Sequence, residues 1–131
     1  MGTAAAGDAI MTAPYRNLKV WQLAHELALQ VYRATASYSV SERYGLVSQM
    51  RRAAVAVATN IVEGNARSHK GEYLQFCNVA RASVAEMKYL LELSLDLELL
   101  PVETYNRLHN GYDHLGALLY SFIKGTRAMS S

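Results

Sequence analysis

Only two prolines, Pro14 and Pro101, stand in a chain of 131 residues, so nothing in the long stretch between them removes a helical hydrogen bond. Along that stretch apolar residues recur at helical spacing. A first helix is predicted over about residues 17–37, with Val20, Ala24, Leu27, Val31 and Ala34 as its buried seam. Trp21, Leu23 and Ala28 widen that seam beyond a two-stranded contact. Tyr38–Ser41 break the period, and Ser39 followed by Glu42 fits a capping box that would start the next helix. That second helix is predicted over about residues 42–62, on a seam of Val47, Met50, Ala54, Val57 and Ile61. Its middle, Ala53–Ala58, is small on every side and suits close approach to more than one neighbour. Gly64 is either its stop signal or a glycine tolerated inside a longer helix.

Ser68 is a candidate N-cap for a third helix over about residues 70–98, buried through Tyr73, Phe76, Ala80, Val84, Met87, Leu91 and Leu95. The alternation of Leu90–Leu100 imitates a strand. Leucine with glutamate favours helix, however, and no β-branched residue occurs there. Pro101 suits the first turn of a fourth helix, whose Tyr105, Leu108, Tyr112, Leu115, Leu119 and Phe122 form the most regular heptad of the chain. Short connections make successive helices antiparallel. The fold expected is therefore all-α, an antiparallel up-down-up-down four-helix bundle over residues 15–125, with a disordered leader over 1–14 and a flexible tail over 126–131.

Hydrophobic residues make up 51% of the chain and charged residues 18%, against about 25% charged in an average globular protein. A lone bundle would leave part of that apolar surface in water, and contacts between copies are the simplest place for it. The net charge of +2 and the pI near 8.7 permit a basic patch without demanding one. The single cysteine, Cys77, excludes an internal disulfide and lies in an apolar run where a buried side chain is expected. The first fourteen residues lack the basic and apolar regions of an export signal, and Ala6 stands where a myristoylation signal needs Ser or Thr. No apolar run reaches the ~20 residues of a membrane span. A cytoplasmic location without membrane contact is expected.

Chemistry is sparse. A di-iron bundle needs Glu-x-x-His on two helices, and no glutamate here is followed by histidine at that spacing. His109 with Asp113, His25 beside Glu26, and His114 are weak substitutes better explained as solvated polar positions. There is no nucleophile elbow and no phosphate-cradling glycine loop. No catalytic residue, metal or cofactor is expected.

The basic residues are the binding candidates: Arg16, Lys19, Arg43, Arg51, Arg67 and Lys70, with nine tyrosines, Tyr44 and Tyr73 among them, available for base stacking. For each alone, a surface ion pair or a core ring is the commoner role. As a cluster, Arg67-Ser68-His69-Lys70 is more suggestive, and repetition around a ring would make it a continuous basic surface. Gln49, Arg52, Asn60 and Glu63 interrupt or flank the small, apolar second helix, and a polar network fixing register or assembly is their expected role.

Several blocks resemble a known family. Tyr15-Arg16-Asn17-Leu18-Lys19-Val20-Trp21-Gln22 and Ala24-His25-Glu26-Leu27 are similar to the opening of a bacterial family of small four-helix proteins encoded in intervening sequences of large-subunit ribosomal RNA genes. Arg43-Tyr44-Gly45-Leu46, Gln49-Met50-Arg51-Arg52-Ala53-Ala54 and Asn60-Ile61-Val62-Glu63-Gly64 resemble its second helix. Glu72-Tyr73, Phe76, Ala80, Ser83 and Glu86 resemble its third. One departure is Ala58, where members often carry proline. The resemblance implies a ring-like homopentamer. It also implies kinship with the accessory protein of diversity-generating retroelements, which meets a reverse transcriptase and nucleic acid through a basic surface. It supplies no catalytic residue. The function expected is a non-catalytic, homo-oligomeric module that binds RNA or a ribonucleoprotein partner. A structural scaffold for a protein partner, without nucleic acid, is the alternative.

Overall fold

The structure, a computed structural model, describes residues 13–128; the first twelve residues of the leader expected over 1–14 and the last three of the tail expected over 126–131 lie outside them. Among the described residues there are four α-helices and no strand: α1 (Lys19–Thr35), α2 (Ser48–Asn65), α3 (Lys70–Asp96) and α4 (Val102–Ala128). Helix α4 continues through Ala128, past residue 125 where the tail was expected to begin.

The helices form where the apolar spacing demands. Val20, Ala24, Leu27 and Val31 of α1 are buried against Met50, Ala54, Val57 and Ile61 of α2, Ala80, Val84, Met87 and Leu91 of α3, and Leu108, Tyr112, Leu115 and Leu119 of α4. These side chains make one continuous core, and Cys77 is buried as well.

The helix ends depart from the sequence reading. Pro14–Asn17 forms a 3₁₀ turn, and α1 begins only at Lys19. The capping box is not made: the Ser39 hydroxyl pairs with Ser41 at 3.0 Å, while the Glu42 N–H donates to the Ser39 carbonyl, also at 3.0 Å. A 3₁₀ turn (Val40–Glu42) and a single π-helical stretch (Arg43–Val47) lead into α2 instead. The wider π turn keeps Leu46 and Val47 buried while Tyr44 stays 89% exposed. Gly64 lies buried inside α2 and does not end it. Its role is close approach, since a Cβ there would lie 3.0 Å from Phe76 Cβ and 3.4 Å from the Tyr73 carbonyl of α3. His69, not Ser68, precedes α3, without a side-chain cap bond.

At its far end α3 closes on Glu98, whose φ of 60° is left-handed. The Glu98 N–H donates to the Leu95 carbonyl and the Leu99 N–H to the Ser94 carbonyl, both at 2.9 Å, which is a Schellman stop built without glycine.

Candidate nucleic-acid interface

Four of the six expected binding residues come from segments that meet. Tyr15 and Trp21 share a groove of about 470 Å³ with Ala58 and Val62 of α2, so Arg16 and Lys19 lie beside the end of that helix. Arg67 follows that end directly, and its guanidinium lies 4.8 Å above the Phe76 ring of α3, whose first residue is Lys70. The tight contact at Gly64 fixes Phe76, and Phe76 in turn supports Arg67. Arg16 is held in the same way, 4.8 Å from the Trp21 ring. Arginines seated on rings keep their charge while losing side-chain freedom. Glu72 approaches Arg67 only at 4.0 Å, with both side chains about half exposed, so it neutralises little.

Arg51 is engaged elsewhere. Its Nε donates to Thr35 Oγ1 at 3.0 Å, its Nη2 to the Tyr32 carbonyl at 3.2 Å, and its guanidinium lies 4.6 Å above the Tyr32 ring. The Thr35 hydroxyl donates onward to the Val31 carbonyl at 2.7 Å. Arg51 thus closes the carbonyl end of α1, where a positive charge is favoured by the helix dipole. The sequence signal that could have found this is its position after a turn, within reach of the preceding helix end. Arg43 lies near it, away from the other four residues.

Three of the four residues expected to form a polar network, Arg52, Asn60 and Glu63, line one groove, and Gln49 turns to α3. Gln49 donates to Glu86 of α3 at 3.3 Å, and Asn60 donates to the Ala56 carbonyl of its own helix at 2.7 Å. That groove, of about 780 Å³, is also lined by Arg43, Tyr44, Val55 and Thr59.

The histidine positions are accounted for by neighbours. His25 stacks on Trp21, with centroids 4.8 Å apart, and the Glu26 carboxylate accepts from Gln30. His109 turns Nε2 to Glu92 at 3.3 Å and Nδ1 to Asp113 at 3.5 Å, so no common point faces all three groups. Lys88, 2.5 Å from Asp113, holds that carboxyl below its ordinary range by hydrogen bonding. Among the described residues no cluster of three His, Cys, Asp or Glu side chains is disposed to hold a metal ion. Burial pushes the Cys77 thiol up, which keeps it protonated and unreactive at neutral pH.

Among the described residues the chain is an all-α module of four helices without a strand. Residues 16–121 match the family described as 23S rRNA-intervening sequence protein, and the chain belongs to that family. Among solved structures, it is similar to a protein with unknown function from the S23 ribosomal protein family of Bacteroides thetaiotaomicron. That likeness has a TM-score of 0.71 at 24% identity, over 80% of this chain and 98% of the other, and concerns the fold. No curated protein matches it. Among the described residues no helix is long and apolar enough to cross a membrane.

Proposed function

We propose that this chain is a non-catalytic module, an up-down-up-down bundle that assembles with copies of itself as a pentameric ring and binds RNA or a ribonucleoprotein partner in the cytoplasm. The observation that carries the RNA reading is that Arg16, Lys19, Arg67 and Lys70 come from separate segments at the same end of the helices, with Arg16 and Arg67 seated on rings. Membership in a family tied to ribosomal RNA genes supports the same reading. Pairing of the start of one helix with the end of the next, as in Tyr73 against Phe122 at 5.6 Å, supports the antiparallel arrangement. Exposed Leu29, Tyr32, Val55 and Val79 support self-association.

The test is titration of a fluorescent single-stranded RNA at several salt concentrations. Arg67→Glu with Lys70→Glu is expected to weaken binding by at least about tenfold and to flatten the salt dependence, since each lost phosphate contact lowers the slope by about one. Affinity that ignores both the salt and these charges would refute the RNA reading. The scaffold alternative draws on the apolar groove beside Trp21 and Val55. It predicts a protein partner that stays bound through nuclease and high salt.

A further inference from the structure

Resting on the self-association reading, we infer that a second copy of this chain lays the outward face of its α3 onto the outward face of α2. Arg43 of the π-helical stretch and Arg52, Val55 and Thr59 of α2 line one open groove of about 780 Å³, with Glu63 also lining it. Val55 is 43% exposed, and neither Arg43 nor Arg52 makes an ion pair among the described residues. Helix α3 turns outward a second apolar patch, with Val79 44% exposed and Tyr89 60% exposed, flanking Ala82 and Glu86. Two different unpartnered faces on one molecule favour a head-to-tail contact, which repeats from copy to copy and forms a ring when the rotation closes.

The contacts inside the chain fix which residues would meet. Gln49 bonds Glu86, Ser94 donates to Met50 Sδ at 3.4 Å, and Gly64 abuts Phe76. Later positions on α2 therefore sit level with earlier positions on α3. With the ring axis along the helices, as this inference takes it, every level is kept and a neighbour's α3 arrives with its residues at the same heights. Arg52 then faces Glu86 and Tyr89 of the next copy, and Arg43 faces Asp96. Val55 and Thr59 face Ala82 and Val79. Positive meets negative at Arg43 and Arg52, and apolar meets apolar at Val55. The pattern selects a copy of this chain over an unrelated protein because both halves of the complementarity are written in the same sequence. Among the described residues Asp96 makes no ion pair, and Glu86 accepts from the neutral Gln49 amide.

The experiment is light scattering over a concentration series on the full chain, with circular dichroism to establish folding. Wild type is expected to be a multimer. Arg52→Glu and Glu86→Arg should each raise the concentration needed for assembly by at least about tenfold, because like charges now face each other. The double variant should recover the wild-type mass. Val55→Glu and Val79→Glu, on the two opposed faces, should each dissociate the folded protein. A wild-type multimer unchanged by Val55→Glu and by both single reversals overturns this face assignment and leaves self-association standing. A double variant that stays folded but dissociated also overturns it. A wild-type monomer at every concentration removes the self-association reading itself.

Discussion

Gly64→Ala tests the packing on which the basic end rests. A Cβ at Gly64 would lie 3.0 Å from Phe76 Cβ and 3.4 Å from the Tyr73 carbonyl. Neither neighbour is the tip of a flexible side chain, so relief requires α2 and α3 to separate. Overpacking of this kind costs about 1–3 kcal/mol. Alanine in place of glycine returns about 0.8–1 kcal/mol through helix propensity, less near a helix end. The net expectation is a loss of about 1 kcal/mol, or roughly 4 °C in Tm for a domain of this size. Gly125→Ala is the control, because its added Cβ meets nothing within 4 Å and only the propensity gain remains. Urea unfolding followed by circular dichroism, at one fixed protein concentration, measures both; the m-value should not change. A Gly64→Ala protein as stable as Gly125→Ala would show that the α2–α3 contact is not tight and that Phe76 is not fixed by it.

Other outcomes follow from single groups. The Tyr112 ring is fully buried and its hydroxyl has no hydrogen-bond partner among the described residues, so Tyr112→Phe should stabilise the fold by about 1 kcal/mol in the same urea assay. Burial raises the pKa values of Tyr38, Tyr73 and Tyr112 above the ordinary 10, with Cys77 adding to the effect at Tyr73. Their neutral forms are therefore favoured in the folded state. Stability from these groups is fully present below pH 10 and falls as pH rises further, because the unfolded state releases its phenolic protons first; a denaturation series from pH 8 to pH 12 reads it. Glu98→Gly should add about 1 kcal/mol by relieving the left-handed backbone, seen as a higher urea midpoint. Arg51→Ala should lower the melting temperature by removing two hydrogen bonds to the end of α1, with little change in RNA affinity.

The four helices and their buried faces are legible in the sequence because burial imposes a period that any reader can count. Every residue named for the α2 seam is buried, from Val47 to Ile61. Helix ends are less legible, because they depend on competing bonds between near neighbours. Ser39 has a hydroxyl suited to a cap, yet Ser41 takes it, and a π turn absorbs the step into α2. Gly64 carries two meanings in the sequence, and only the proximity of Phe76 decides between them. The same holds for the charges. Only its place after a turn sets Arg51 apart from Arg67 in the sequence, yet Arg51 faces the carbonyl end of α1 and Arg67 lies over Phe76 beyond α2. Side-chain partners across helices are set by the level at which helices meet, which periodicity does not encode.

Light scattering on gel-filtered protein, with the ratio of absorbance at 260 and 280 nm recorded before and after nuclease, tests the central claim most directly. The account predicts a mass near five times the 14.5 kDa chain, together with an absorbance ratio that falls on nuclease treatment. A monomer whose absorbance ratio is already that of pure protein would contradict both the assembly and the RNA binding.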